Sequence, residues 1–212
     1  MKVFVAGGTG RVGRELTRQL VEAGHDVVAA SRHAETLEAS GHVTPMPFDF
    51  HDDVDTIAGK LDGADAIVFT AGSRSRDLLQ TDAFGPVKLA TAAAKAGVRR
   101  YVQLSSIYAL EPERWAGEPS LRSITDYNIA KFFADRWLLD HSGLDLTIVQ
   151  PSVLKEEPGI GRIELDPEHD GANPIPDVAR VLMEVIGRRN TYGKVIRLRG
   201  GDEPIGEALA RV

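Results

Sequence analysis

Cysteine is absent from the 212 residues of this chain, and its absence excludes several kinds of chemistry. Without thiols there is no disulfide, no cysteine nucleophile, no iron–sulfur cluster and no thiolate zinc site. The six histidines form no ligand-spacing motif such as His-Glu-x-x-His. We therefore predict no metal site, and the lack of cysteine fits a protein of the reducing cytoplasm.

Long apolar runs and an excess of basic residues are also missing. No apolar stretch approaches the roughly 18 residues that a membrane helix needs. The N-terminus lacks the apolar stretch and cleavage site of a signal peptide. The formal net charge is −6, and Lys and Arg are spread along the chain, whereas nucleic-acid-binding proteins usually carry a basic face. We therefore expect a cytoplasmic protein that binds neither membranes nor nucleic acids.

Short β-branched runs alternate with longer helical patterns along the chain. The runs lie at 2–6, 26–30, 43–48, 66–70, 99–104, 145–150 and 194–198, and the helical patterns begin near residues 12, 82, 123 and 177. Strand–helix repetition with right-handed crossovers produces a doubly wound sheet. The sequence predicts one α/β domain over 1–212, a Rossmann-type parallel sheet with helices on both faces.

One stretch interrupts this alternation. Residues 155–176 are rich in Gly, Pro and acidic residues and are long for a connection. Loops of this length are often lids or binding loops. A solvated loop with a short edge strand near 162–165 is an equally supported reading. We treat 155–176 as a small substrate or lid segment.

A glycine-rich loop follows the first predicted strand. It reads Gly-Gly-Thr-Gly-Arg-Val-Gly from Gly7 to Gly13 and opens an amphipathic helix. Glycines let a backbone approach a pyrophosphate, and the helix N-terminus offers free N–H groups to it. Both a Gly-x-Gly-x-x-Gly and a Gly-x-x-Gly-x-x-Gly reading fit. The predicted cofactor contacts are therefore Gly7, Gly8, Thr9, Gly10, Arg11, Val12 and Gly13.

The end of the second predicted strand indicates which dinucleotide binds. NAD-selective sites usually carry Asp or Glu about 20 residues after the glycines, where it binds the ribose 2′-hydroxyl. This chain has Ser31 and Arg32 there, and an arginine fork suits a 2′-phosphate. We therefore favour NADP over NAD.

A tyrosine and a lysine share one face of the helix predicted after residue 123. Tyr127 and Lys131 are four residues apart, so their side chains are neighbours on that helix. A nearby ammonium favours the phenolate, and we expect Lys131 to lower the pKa of Tyr127 toward neutrality. Ser105 and Ser106 end the preceding strand, and either hydroxyl is a candidate to orient the reacting oxygen. These four residues are the predicted catalytic group.

Taken together, these motifs resemble the atypical short-chain dehydrogenases/reductases, and most closely their NmrA-like NAD(P)H-binding branch with its small sugar-epimerase-like proteins. The resemblance covers nearly the whole chain. Besides the glycine loop it rests on the stretches AAAKAGVRRYVQLSS, YNIAK, SGLDLTIVQPS and GDEPIGEAL.

The resemblance implies further roles for matching positions. Asp49 and Phe50 would flank the adenine, and Lys131 would also hold the nicotinamide ribose. The positions that would line the nicotinamide side are Thr70, Ala71, Gly72, Gln150, Pro151 and Ser152. Relatives often read Arg-Pro-Gly where this chain has Gln-Pro-Ser, and the serine of extended members aligns with Ile107.

The function expected from the residues and the resemblance is an NADP-dependent oxidoreductase. It would move a hydride between NADP(H) and a small carbonyl or alcohol. The alternatives are a nucleotide-sugar epimerase or dehydratase and a non-catalytic NADP(H)-sensing protein. A small-molecule substrate and a monomer or homodimer complete the expectation.

Overall fold

The protein is described by a computed structural model of residues 1–212. The strands are β1 (Lys2–Ala6), β2 (Asp26–Ser31), β3 (Val43–Pro47), β4 (Ala66–Phe69), β5 (Arg100–Leu104), β6 (Asp145–Pro151), β7 (Val153–Lys155), β8 (Arg162–Leu165), β9 (Ala172–Pro174), β10 (Lys194–Gly200) and β11 (Glu203–Pro204). The helices are α1 (Arg11–Glu22), α2 (Val54–Gly59), α3 (Phe84–Ala96), α4 (Pro119–Arg122), α5 (Thr125–His141), α6 (Ile175–Ile186) and α7 (Ile205–Ala210).

Nine of the strands form one sheet in the order β3-β2-β1-β4-β5-β6-β10-β8-β11. The strands from β3 across to β10 are parallel, which confirms the doubly wound architecture. At one end β8 runs antiparallel to both of its neighbours, β10 and β11, a feature that the sequence did not predict. The strand expected at 162–165 is present, but β11 covers it, so it is not the edge.

Successive residues of each central strand face opposite sides of the sheet. In β1, Val3 and Val5 enter one core with α1, α6 and α7, while Phe4 and Ala6 enter the other with α2, α3 and α5. This period of two follows from the pleat. Both faces are therefore covered, which explains the unbroken apolar runs.

The crossover that places the candidate site lies beside β1. From β1 the chain proceeds to β2 and β3 on one side, and then returns to form β4 on the other. Ligands of open α/β sheets bind at the carboxyl ends of the strands at such a reversal. The glycine loop and the loops after β4, β5 and β6 therefore share one edge.

Residues 155–176 are an ordered part of the fold. They contain β8 of the main sheet and β9, which pairs with β7 in a second, two-stranded sheet. Asp177 in the first turn of α6 accepts hydrogen bonds from the N–H groups of Ile160 and Gly161, each at 2.9 Å. Arg11 of α1 also pairs with Glu156 at 3.2 Å. The start of the segment is thus tied to the glycine loop and to α6.

The surface of α5 carries exposed apolar side chains. Phe133 is 62% exposed, and Ile129 and Ile124 are also exposed. None of these three side chains belongs to a hydrophobic core. Whether the protein is a monomer or a homodimer stays a prediction. No helix combines the length and apolar character required to cross a membrane.

We predict that Asp177→Ala weakens the anchor of residues 155–161. Two backbone N–H groups lose their acceptor, so the free energy of unfolding should fall by about 2 kcal/mol. Urea denaturation measures this loss, and limited proteolysis should show earlier cleavage near residue 160. Asp202→Ala, in an exposed turn, is the control and should change stability by under about 0.5 kcal/mol. Equal stability of the two variants would contradict the anchoring role.

Candidate cofactor and catalytic site

Two of the four glycines in the loop admit no side chain. Gly7 has φ +100°, and a Cβ there would lie 2.6 Å from the backbone nitrogen of Ala71. A Cβ on Gly13 would lie 2.2 Å from the carbonyl oxygen of Gly7. The gaps at Gly8 and Gly10 are 3.0 and 3.2 Å. The strictest requirement therefore falls on Gly7 and Gly13, the ends of the Gly-x-x-Gly-x-x-Gly reading.

Free hydrogen-bond donors line the entrance to α1. Gly10 caps the helix without a side-chain acceptor, and no acidic residue lies in the first turn. The N–H groups of Arg11 and Val12 have no acceptor in the protein. Unpaired N–H groups at a helix N-terminus, with their positive dipole end, are the donor set that a phosphate requires. The glycine cradle and these donors therefore fit the pyrophosphate of a dinucleotide.

Thr9 and Ser31 fix the loop instead of facing outward. Their hydroxyl oxygens are 2.6 Å apart, and Ser31, at the end of β2, is 9% exposed. Arg14 donates from Nε to the carbonyl oxygen of Thr9 at 3.0 Å. Ser31, predicted as a cofactor contact, therefore holds the glycine loop against β2 with its hydroxyl.

Arg32 directly follows β2 at this edge of the sheet. It is exposed and has no ion pair or side-chain hydrogen bond. Desolvation would raise the pKa of nearby Asp49, but hydrogen bonds from His51 and the charge of Arg32 hold that pKa below its usual value. Arg32 and Asp49 are thus near neighbours. Phe50, at 7% exposure, packs between Phe48 and Phe69 in the core and offers little surface to an adenine.

The loop after β4 closes against the glycine loop. Thr70 donates from its hydroxyl to the carbonyl oxygen of Ala6 at 3.1 Å, and Ala71 approaches Gly7 as described above. Gly72 is exposed, and the next N–H, of Ser73, donates to the carboxylate of Asp82 at 3.1 Å. Asp82 is fully buried in a π-helical turn at Leu78–Ala83. A buried carboxylate therefore lies directly behind this loop.

Tyr127 and Lys131 lie together on α5, as predicted. The Lys131 ammonium is 5.5 Å from the centroid of the Tyr127 ring and 5.5 Å from that of Phe69. Lys131 is 1% exposed, and its one hydrogen bond within the protein goes to the carbonyl oxygen of Leu104 at 3.3 Å. An ammonium has three donors. The remaining donors of Lys131 are available to a ribose hydroxyl at the carboxyl end of β5.

The prediction that the pKa of Tyr127 is lowered toward neutrality is wrong. Burial is the largest influence and raises the pKa of Tyr127 above its ordinary value. The charge of Lys131 lowers the pKa of Tyr127, but the carboxylates of Asp82 and Asp135 raise it, in the same direction as burial. The sequence argument counted the lysine and omitted the two buried acids. At neutral pH the hydroxyl of Tyr127 is therefore protonated.

The two candidate serines have different surroundings. Ser105 is 5% exposed and donates from Oγ to Oδ2 of Asp135 at 2.6 Å. Ser106 is half-buried and its hydroxyl makes no hydrogen bond within the protein. Ser106 is thus the one of the pair whose hydroxyl is free for a bound molecule. Ile107, which the resemblance aligned with the family serine, is buried.

The end of β6 faces inward. Gln150 is 1% exposed and donates from Nε2 to Oδ2 of Asp135 at 2.9 Å. The Pro151 carbonyl accepts from the Ile107 N–H at 2.9 Å, and the Ser152 N–H donates to Oδ1 of Asn173 at 2.9 Å. These three residues therefore form the floor of the β6 end of the site.

Two functional candidates escaped the sequence reasoning. Asp135 follows Lys131 by four residues, and this spacing on one helical face would have revealed it. Asp82 carried no such signal, because only the fold brings its turn behind β4. The chain holds no group of three His, Asp or Glu side chains suited to a metal ion.

A cavity of about 730 Å³ lies away from the glycine loop, beside β8 and β10. Charged side chains line it and pair with one another, as Arg197 does with Asp166 at 2.9 Å. None of the predicted catalytic or cofactor-binding residues lines it. We therefore place the candidate site at the edge of the sheet that carries the glycine loop, and not in this cavity.

We predict that Gly13→Ala disrupts the loop. Its Cβ would overlap the Gly7 carbonyl, so we expect NADPH affinity to fall at least about tenfold and stability to fall by about 2 kcal/mol. Fluorescence titration and urea denaturation measure the two effects. Gly59→Ala, where nothing lies within 4 Å of an added Cβ, is the control and should match the parent protein. Wild-type NADPH affinity in Gly13→Ala would refute the cradle.

Comparison with known proteins agrees with this geometry. A family model described as NAD(P)H-binding matches residues 7–189. The uncharacterized sugar epimerase YhfK of Bacillus subtilis is 33% identical over 221 aligned residues, with 100% of each chain covered. The oxidoreductase ylbE of Lactococcus lactis is 39% identical, with a TM-score of 0.96 over 100% of this chain and 96% of that one.

A more distant likeness concerns the fold alone. A short-chain dehydrogenase/reductase from Veillonella parvula, solved in complex with NADP, has a TM-score of 0.75 at 16% identity, covering 96% of this chain and 98% of that chain. The glycine cradle, the strand order and the family match lead to one assignment. The chain belongs to the NAD(P)H-binding family and has a Rossmann fold, in agreement with the resemblance to atypical short-chain dehydrogenases/reductases.

Proposed function

We propose that the protein is an NADP(H)-dependent oxidoreductase that interconverts a small carbonyl compound and its alcohol. The observation that carries the proposal is the position of Tyr127 beside the buried Lys131, at the same sheet edge as the glycine cradle. The Lactococcus relative, named an oxidoreductase, supports the reaction class. The fold alone does not specify a reaction, so the argument rests on these side chains.

Each side chain has a role in this proposal. The bound cofactor supplies hydride chemistry at its nicotinamide ring. Tyr127 donates its hydroxyl proton to the substrate carbonyl oxygen, and Ser106 donates a hydrogen bond to the same oxygen. Lys131 stabilises the phenolate that remains and holds the nicotinamide ribose. Because Tyr127 is protonated at neutral pH, the arrangement favours its use as an acid in carbonyl reduction.

The remaining predicted residues bind or support the cofactor. The helix N–H groups of Arg11 and Val12 hold the pyrophosphate, and Arg32 binds the 2′-phosphate. Asp49 borders the adenosine, while Ala71 and Gly72 approach the cofactor through their backbone. Further residues keep these loops in place: Thr9, Ser31, Phe50, Thr70, Ser105, Gln150, Pro151 and Ser152.

A second function, epimerisation or dehydration of a nucleotide sugar, is favoured by the name of the Bacillus relative. Such enzymes oxidise and re-reduce the same substrate, so the cofactor stays bound through the cycle. Release of NAD from the purified, denatured protein would favour this function. Free exchange of NADPH during turnover would favour the oxidoreductase.

We predict that Arg32→Gln weakens NADPH binding selectively. Loss of a charged partner of the 2′-phosphate should raise the Kd for NADPH at least about tenfold and leave the Kd for NADH unchanged. Fluorescence titrations with both cofactors measure the difference. The control is Arg189→Gln, since Arg189 is also exposed and unpaired but follows α6 at the opposite edge. An equal change for NADH would exclude 2′-phosphate recognition.

We predict that Tyr127→Phe lowers kcat about 10² to 10⁴-fold, because the proton donor is lost. The Kd for NADPH should stay within about threefold, since the ring remains in place. Turnover of NADPH with a panel of aldehydes and ketones provides the measurement. Tyr192→Phe is the matched control, because Tyr192 stacks on Arg100 away from the site. Unchanged turnover in Tyr127→Phe would remove Tyr127 from the mechanism.

A further inference from the structure

A row of buried polar side chains, here called the polar track, lies beneath the Tyr127–Lys131 pair. Tyr101, Gln103 and Ser105 alternate along β5, so they share one face of the sheet, and each is buried. Asp135 of α5 is fully buried against this track and accepts from Ser105 and Gln150 through one oxygen, Oδ2. Its other oxygen, Oδ1, has no partner in the protein. The interior thus contains an incompletely satisfied carboxylate.

This carboxylate costs stability. Desolvation raises the pKa of Asp135 from 3.8 to about 6, although Ser105, Gln150 and Lys131 all oppose that rise. Ionisation therefore destabilises the fold as the pH rises through about 6. An asparagine would keep the Ser105 and Gln150 bonds to one oxygen and place its amide at the unpartnered position. That amide would have no acceptor there, so the substitution removes the charge and leaves buried donors unpaired.

The charge acts on the reacting pair. Tyr127, Lys131 and Asp135 succeed one another at intervals of four residues, which places them along one face of α5. The groups that act electrostatically on the pair are Asp135 from α5 itself and Asp82 from the turn before α3. Neither carboxylate forms an ion pair with Lys131, so both act through space in a low-dielectric interior. Tyr101 of β5 is the further titratable group facing Asp135.

We propose that Asp135 is a positioning residue for the catalytic pair. Together with Asp82, its negative charge stabilises the Lys131 ammonium in the buried site and disfavours ionisation of the Tyr127 hydroxyl. The proposal rests on the function proposed above for Tyr127 and Lys131. Ser105, considered first as a catalytic hydroxyl, acts here by orienting Asp135.

The test uses Asp135→Asn in the full chain. Tyrosinate absorbance is titrated with pH in the parent and variant, and the same titrations on a Tyr127→Phe background isolate the Tyr127 signal. Removal of the negative charge should move the ionisation of Tyr127 to lower pH. Asp140→Asn, the exposed carboxylate one turn further along α5 that pairs with Arg136, should leave it unchanged. An unshifted or higher Tyr127 pKa in Asp135→Asn would overturn the proposal.

Thermal unfolding separates this role from a structural one. The Tm of Asp135→Asn relative to the parent should rise as the pH increases through about 6, because only the parent then carries the charge that desolvation penalises. A Tm difference that stays the same across this pH range would mean that Asp135 serves packing alone. These readouts need no turnover, so they can succeed when every carbonyl substrate fails. The expected titration shifts without turnover of any carbonyl substrate would contradict the proposed function and still support the electrostatic role of Asp135.

A reciprocal measurement does not depend on the asparagine variant. Lys131 lowers the pKa of Asp135 in the folded protein. Lys131→Met should therefore move the pKa of Asp135 above about 6, read from the carboxyl carbon by NMR with labelled aspartate. An unchanged Asp135 titration in Lys131→Met would show that the two charges are not coupled and would reject the proposal.

Discussion

The contact between Gly13 and the carbonyl of Gly7 is the constraint on which the arrangement of the site depends. A side chain at Gly13 would push α1 away from the end of β1, and one at Gly7 would collide with the backbone of Ala71. Because α1 is held there, its free N–H groups point to the carboxyl edge of the sheet, and its apolar face packs against α6. Helix α6 in turn anchors residues 160–161 through Asp177. One close backbone approach thus fixes both the phosphate cradle and the segment beside it.

Buried charge is the second organising feature, and at Asp135 it opposes stability. Lys131, Asp82 and Asp135 lie in an interior where desolvation penalises each charge. Such groups persist where their electrostatics serve the chemistry, and strongly perturbed ionisable groups cluster at functional sites. The loop after β4 adds a local cost, because Arg74 and Ser75 both have positive φ. The residues with positive φ and the buried charged side chains therefore lie at the same edge of the sheet.

The relatives of this protein include one named a sugar epimerase and one named an oxidoreductase. A tyrosine acid beside a lysine serves both chemistries, since each begins with hydride and proton transfer at a carbon–oxygen bond. What differs is whether the cofactor leaves between turnovers and which substrate the loops admit. Residues 155–176 border the site, since Glu156 pairs with Arg11 of α1. They are therefore among the loops that would select the substrate.

The sequence alone determined the framework. All six strands from β1 to β6 lie within one residue of the apolar runs that predicted them, and the glycine loop and the Tyr127–Lys131 pair follow from local spacing. Local spacing does not report burial or partners that are distant along the chain. Only the tertiary structure showed that Ser105 is bound to Asp135, that Asp82 lies behind β4, and that the pKa of Tyr127 rises. These features depend on desolvation and on through-space charge, which are properties of the assembled core.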